Sequence, residues 1–154
     1  MTPTVRPVRT DDLERMLEIE RVSYDVPWSR SMFEGELAKA GSVMLLAEEN
    51  DDIVGYVVVS RYVDAWHVMN VAVTPTCRRR GIASMLLENV LRGTAGQAER
   101  GHTLEVRASN LGAQKLYERY GFVPHGTRRA YYTDNREDAV IMWRDPAGDE
   151  AVPG

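Results

Sequence analysis

The chain is 154 residues long, 44% hydrophobic and 27% charged, with a formal net charge of −4. That length suits one domain with a buried core, and the acidic balance argues against a general nucleic-acid binder. No apolar run approaches the ~20 residues of a membrane span, and the single cysteine, Cys77, excludes an internal disulfide and fits a reducing compartment.

In chain order, Thr4–Arg9 reads as a first strand, and the polar, proline-bearing opening gives no expectation of a signal peptide. Thr10 or Asp11 is placed to cap a helix whose apolar stripe is Leu13, Met16, Leu17 and Tyr24. Glu20 falls on that stripe, where an apolar residue is expected. Pro27-Trp28-Ser29 interrupts, and Ser29 is placed to cap a second helix to about Ala40, with Met32, Phe33, Glu36 and Leu37 in register. Ser42–Ala47 and Ile53–Tyr62 predict an antiparallel pair joined at Asn50-Asp51-Asp52, and Ala65–Val73 predicts a further strand. A helix follows from Gly81 to about Gln97, its last turns weakened by Gly93 and Gly96. Thr103–Arg107 is a short strand, and Asn110–Tyr120 a helix with Ala113, Leu116, Tyr117 and Tyr120 on one face, stopped by Gly121. Val123–Tyr132 and Ala139–Arg144 predict a final hairpin. No repeat or linker is visible, so residues 1–145 are expected to form one domain and 146–154 a disordered tail.

Arg78-Arg79-Arg80-Gly81-Ile82-Ala83 is the most informative stretch, because a strand leads into it and a helix leads out. Unpaired backbone N–H groups and the helix dipole make such a turn an anion site, and Gly81 lets a ligand approach the main chain closely. The guest is expected to be a phosphate or pyrophosphate; an exposed basic turn and a nucleic-acid contact are the other readings of the residues alone. The spacing is neither that of a P-loop nor that of the dinucleotide fingerprint. His67, His102 and His125 are scattered, with no second ligand at metal spacing, so no metal is expected.

The stretch resembles the [Arg/Gln]-x-x-Gly-x-[Gly/Ala] signature with which GNAT N-acetyltransferases hold the pyrophosphate of acetyl-CoA. The element order β-α-α-β-β-β-α-β-α-β-β is also that of the GNAT fold, an α/β architecture with a mixed central sheet of about seven strands and flanking helices. Leu104-Glu105-Val106-Arg107-Ala108-Ser109-Asn110, Leu116-Tyr117 and Gly121-Phe122 resemble the RimI branch of that family. Pro27-Trp28-Ser29, Arg128-Arg129-Ala130-Tyr131-Tyr132 and Arg136-Glu137-Asp138-Ala139 match it nearer the ends, so the likeness runs from about Val8 to Met142. Arg78 stands where glutamine is common, and Ala83 where glycine is common. The resemblance implies a cytoplasmic protein N-α-acetyltransferase that works by direct transfer in a ternary complex. Its co-substrate would be acetyl-CoA, its partner a protein N-terminus such as that of a small-subunit ribosomal protein, and no metal, membrane or nucleic acid would take part. A monomer or weak dimer is expected.

The chemistry needs a neutral amine, a stabilised oxyanion and relief of charge on the departing thiolate. Glu105 shares a strand face with Thr103 and Arg107, and is either a general base or one half of a Glu105–Arg107 ion pair; the resemblance favours a base acting through water. At pH 7, freeing an α-amine (pKa ~7.8) costs about 1 kcal/mol and freeing a lysine (pKa ~10.4) about 4.6 kcal/mol, so one carboxylate copes more readily with the former. Tyr117 would hydrogen-bond the CoA sulfur by resemblance, or serve as a core aromatic by its stripe. Asn110 is placed to cap its helix, and by resemblance contacts CoA. The expected CoA-binding set is the backbone of Val71, Ala72 and Val73, the turn Arg78, Arg79, Arg80, Gly81, Ile82, Ala83 and Ser84, and Asn110. Glu20, Tyr24, Trp28, Tyr131 and Tyr132 are candidates for the substrate entrance, with Tyr131 and Tyr132 on opposite faces of a strand. The alternatives are a GNAT enzyme for lysine or a small-molecule amine, a CoA-binding module without catalysis, and an RNA-associated protein.

Overall fold

The computed structural model describes residues 2–146, so the expected disordered tail lies, beyond Pro146, outside the described residues. Seven strands and four α-helices follow the predicted order: β1 (Thr4–Pro7), α1 (Leu13–Ser23), α2 (Arg30–Ala38), β2 (Ser42–Glu49), β3 (Asp52–Tyr62), β4 (Ala65–Val73), α3 (Ile82–Thr94), β5 (His102–Arg107), α4 (Leu111–Arg119), β6 (Phe122–Arg128) and β7 (Ala139–Arg144). The strands form one sheet in the order β1-β2-β3-β4-β5-β7-β6. By internal contacts the chain divides into two compact units: the residues up to Ser60 with Val68–Gly93, and Arg61–His67 with the residues from Thr94 on.

In the first unit, β1 and β3 each pair antiparallel with β2. Asn50 and Asp51 both have positive φ, the conformation of a two-residue turn that follows the strand twist. Helix α1 begins differently from expectation. A 3-10 turn at Thr10–Asp12 precedes it, and neither Thr10 nor Asp11 caps it by a side-chain bond. Instead Asp12 takes the Arg9 N–H at 2.7 Å and two bonds from the Arg6 guanidinium at 2.9 Å each. Those Arg6 bonds hold the Asp12 carboxyl below its usual range, outweighing its burial. Ser29 caps α2 as expected, accepting the Met32 N–H at 3.3 Å. Leu13, Met16, Leu17 and Ile19 of α1, Phe33 of α2 and Met44, Leu46, Tyr56 and Val58 of the strands make the core. Phe33 lies 5.1 Å from the Trp28 ring and edge-on to Tyr56 at 5.7 Å.

In the second unit, β7 pairs antiparallel with both β5 and β6, and the start of β4 runs parallel to β5 through Trp66↔His102 and His67↔Thr103. Leu104, Val106, Phe122 and Met142 are buried, as is Arg144, whose Nε donates to the Tyr120 carbonyl at 2.7 Å. Two expected boundaries move. Helix α3 ends at Thr94 rather than about Gln97, two residues before Gly96 at φ +73. Strand β6 ends at Arg128 rather than Tyr132, because Ala130 takes φ +49 and its N–H is held by Asp138 Oδ1 at 2.8 Å. Tyr131 and Tyr132 therefore lie in a loop, not on opposite faces of a strand.

Among the described residues no helix is long and apolar enough to cross a membrane, and no group of three or more His, Cys, Asp or Glu is placed to hold a metal ion.

Two glycines test the packing in opposite directions. Gly101 has φ +80, and a Cβ there would lie 2.1 Å from the Arg144 carbonyl oxygen, so Gly101→Ala should cost at least about 2 kcal/mol in denaturant unfolding. Gly93, inside α3 with open space around it, should instead gain up to about 1 kcal/mol when replaced by alanine.

Candidate active site

Strand β4 ends at Val73, and the chain turns through Thr74 and a 3-10 helix, Pro75–Cys77, before Arg78–Gly81 delivers it to α3. The Thr74 N–H donates to the Val54 carbonyl at 2.8 Å, which fixes the start of the turn to β3. Gly81 has φ +79, and its carbonyl accepts the first bond of α3, from the Met85 N–H at 3.0 Å. A Cβ on Gly81 would meet nothing within 4 Å, so the space over the turn is open and the glycine answers to backbone conformation. Among the described residues the N–H groups of Gly81, Ile82 and Ala83 find no acceptor. These are the unpaired donors of a helix start, at the positive end of its dipole. A phosphate or pyrophosphate fits them.

The three arginines divide. Arg78 is turned back on the fold: its Nε donates to the Val73 carbonyl at 3.0 Å and a terminal nitrogen to Ser23 Oγ at 3.2 Å. Arg80 makes a two-pronged pair with Glu49 at the end of β2, at 2.9 and 2.5 Å, which lowers the Glu49 pKa. Of the three, Arg79, itself at φ +65, is the one whose guanidinium has no partner among the described residues. The groups left open to an anion are thus mainly backbone ones, with two of the arginines bracing the turn.

Strand β4 is held from beside. A Cβ on Gly55 of β3 would lie 2.9 Å from the Ala72 carbonyl oxygen, 3.3 Å from Val73 Cγ2 and 3.4 Å from Ile82 Cγ2. The Tyr24 hydroxyl donates to the Val71 carbonyl. Tyr24 is exposed and Trp28 half-buried, whereas Glu20 is 1% exposed and cannot line an entrance by contact. Its carboxylate takes bonds from Tyr56, Asn70 and the Trp28 N–H.

In the second unit, Glu105 projects from β5 with a quarter of its side chain accessible. Its partner is Arg128, at 3.5 Å, and not Arg107. Arg107 is committed elsewhere: it bonds Asp134 at 2.8 Å, Asn135 at 3.2 Å and Glu137 at 3.3 Å, and lies 4.0 Å over the Tyr132 ring. Glu137 also takes the Ser109 N–H at 2.7 Å. The loop carrying Tyr131 and Tyr132 is thereby fastened to β5, and the two rings meet edge-on at 5.1 Å. Tyr117 on α4 is half-buried beside Phe122, at 5.7 Å, and its hydroxyl makes no hydrogen bond to a described residue. Burial, with a smaller contribution from Tyr132, pushes its pKa up to about 12. Asn110 caps α4, its Oδ1 accepting the Ala113 N–H at 3.1 Å.

The sequence profile of the acetyltransferase (GNAT) family matches residues 13–122. The chain belongs to that family. As a GNAT enzyme it is an N-acetyltransferase that draws acetyl from acetyl-CoA. A Bacillus subtilis protein provisionally named a ribosomal protein bS18-alanine N-acetyltransferase is 36% identical over 140 residues, which cover 90% of this chain and 93% of that one. The Escherichia coli K12 protein named as that enzyme is 33% identical over 141 residues, 90% and 95% of the two chains. The crystal structure of the ribosomal-protein-S18-alanine N-acetyltransferase from Escherichia coli superposes with a TM-score of 0.85, at 32% identity and 93% coverage of both chains. That of Ard1 from Thermoplasma volcanium superposes with a TM-score of 0.84, at 26% identity, covering 94% of this chain and 98% of that one.

Within the first unit the GNAT turn, Val71–Val73, Tyr24 and Trp28 are tied together by the contacts above; within the second, Glu105, Arg128, Tyr131 and Tyr132 are. Sequence reasoning missed Gly55, although a glycine inside an apolar strand is a usable sign of close backbone approach. It also missed Glu49 as the partner of Arg80 and Arg128 as the partner of Glu105, pairings for which spacing along the chain carries no signal.

CoA should raise the melting temperature by mass action, and pantetheine without phosphate should do much less. Gly81→Asp should abolish the rise, because it places a negative charge over the unpaired N–H groups. Gly55→Ala, which pushes on the Ala72 carbonyl, should reduce it. Equal CoA stabilisation of wild type and Gly81→Asp would overturn the assignment of the turn.

Proposed function

We propose that this enzyme acetylates the N-terminal α-amine of a protein, a small-subunit ribosomal protein being the expected class, by direct transfer from acetyl-CoA in a ternary complex in the cytoplasm. The observation that carries the α-amine reading is likeness along about 90% of the chain to proteins named for acetylating the alanine terminus of bS18. Residues 1–145 act as one acetyltransferase domain, as a monomer or weak dimer, without nucleic acid or membrane.

In this reading the unpaired N–H groups at Gly81–Ala83, with Arg78–Arg80 and Ser84 around them, take the pyrophosphate. The backbone of Val71–Val73 pairs with the pantetheine arm and acetyl group as an added strand would, and Asn110 contacts CoA besides capping α4. Tyr24, Trp28, Tyr131 and Tyr132 line the way in for the peptide. Glu105 accepts a proton from the amine through water as the C–N bond forms and the C–S bond breaks. Tyr117 relieves charge on the leaving sulfur. With a tyrosine pKa of about 12 against ~8.5 for a thiol, full proton transfer to sulfur is uphill by about 5 kcal/mol, so its part is a hydrogen bond that strengthens as charge develops.

A peptide with a free N-terminus and an internal lysine, incubated with acetyl-CoA and mapped by mass spectrometry, should gain acetyl at the terminus, and blocking the terminus should remove most turnover. Equal acetylation of lysine in the blocked peptide would hand the reading to a lysine or small-amine enzyme.

Two substitutions separate the roles by pH. Glu105→Gln should lose most at low pH, where the amine is charged, and recover as pH rises past ~7.8 and free amine accumulates. Tyr117→Phe should keep its defect across that range and recover with an acyl donor whose thiol is more acidic. Each should lower kcat/KM by roughly one to three orders of magnitude with CoA binding intact. Profiles like wild type in both would reject the assigned roles.

A further inference from the structure

Glu20 is a carboxylate on the core face of α1, on the stripe of Leu13, Met16 and Leu17, with 1% of its surface accessible. A buried carboxylate is costly unless hydrogen bonds replace its water. Here three donors do so, from three separate elements. The Tyr56 hydroxyl of β3 reaches Oε1 at 2.6 Å, Asn70 Nδ2 of β4 reaches the same oxygen at 2.8 Å, and the Trp28 backbone N–H reaches Oε2 at 2.9 Å. The tyrosine proton is held firmly, since burial and the carboxylate both raise the Tyr56 pKa.

The bond to Trp28 has a particular position. Among the described residues it is the one hydrogen bond made by residues 25–28, the segment that joins α1 to α2. The bond to Asn70 has another. Asn70 precedes Val71, and the Val71 carbonyl receives the Tyr24 hydroxyl. With the Tyr24–Val71 bond, these two close a ring that runs from Glu20 through Asn70 and Val71 to Tyr24, along the segment to Trp28, and back to Glu20.

We propose that Glu20 is a positioning residue for the amine substrate: it holds the α1–α2 segment, with Tyr24 and Trp28, against strand β4, and so sets amine affinity without touching the amine. This rests on the reading of Tyr24 and Trp28 as entrance residues. The requirement is for a carboxylate. Trp28 N–H and Asn70 Nδ2 both donate, so a glutamine of the same size must point its own NH2 at one of them.

In the full-length enzyme with saturating acetyl-CoA, Glu20→Gln should raise the KM for the peptide amine about ten-fold, the scale of one hydrogen bond to a charged group. The melting shift caused by CoA should remain near wild type, and so should kcat. Amide hydrogen exchange should quicken at residues 25–28 while β3 keeps its protection. Tyr56→Phe serves as the comparison, because it removes a bond to the same carboxylate without touching the segment; its melting temperature should fall while its KM stays near wild type. Should Glu20→Gln fail to fold, Glu20→Asp, which keeps the charge but withdraws it by one methylene, is judged by the same KM and exchange measurements. An unchanged KM, an equal rise in Tyr56→Phe, or unchanged exchange at residues 25–28 would overturn the proposal. A wild type that ignores peptide α-amines would instead sink the α-amine reading. The same ten-fold criterion then applies to the amine that the wild type does accept.

Discussion

The approach of β3 to β4 at Gly55, where a Cβ would lie 2.9 Å from the Ala72 carbonyl, is the constraint on which the end of β4 and the proposed acetyl-CoA turn depend. Backbone groups can bind a ligand selectively only when something else holds the backbone. Here the contact at Gly55 and the bond from Thr74 to Val54 hold the end of β4, and Arg78 and Arg80 hold the turn that follows. Three consecutive arginines look like a patch of charge offered to an anion. Two of them are instead struts, and what the turn leaves open to an anion is its N–H dipoles and the helix start. A buried carboxylate belongs to the same scheme. An apolar residue at Glu20 would fill the core stripe, yet only an acceptor can gather Tyr56, Asn70 and the Trp28 N–H.

The second unit uses the same device with opposite chemistry. Arg107 gathers Asp134, Asn135, Glu137 and the Tyr132 ring, and so fastens the β6–β7 loop to β5. Glu105, two residues earlier on the same strand face, is left with Arg128, a mostly exposed cation at 3.5 Å. An exposed pair at that distance holds its partners weakly, which leaves the carboxylate open for the base role proposed for it. Had Arg107 paired with Glu105, the loop would lose its clamp and the carboxylate its freedom.

Sequence periodicity served well for the elements. Leu13, Met16 and Leu17 of α1, the cap at Ser29 and the stop at Gly121 lie where local geometry dictates, since a helix face is set by spacing alone; Tyr24, expected on the same stripe, falls past the end of α1 and is exposed. It served less well where the chain leaves regular structure. Ala130 in the left-handed region and the early end of β6 depend on Asp138 bonding back to its N–H, a contact between residues eight apart that no period encodes. Tyr131 and Tyr132 became loop neighbours for that reason.

By itself the sequence determined the order of elements, the glycine that the turn before α3 requires, and the residue types needed for acyl transfer, because each is a property of a few consecutive residues. Only the tertiary structure decided which charges are free to act. Arg80 is claimed by Glu49, Arg107 by the β6–β7 loop, and Glu20 by three donors, one of them fifty residues away. A side chain's availability depends on which partners folding brings within hydrogen-bond reach, and that is a property of the packed chain rather than of any segment of it.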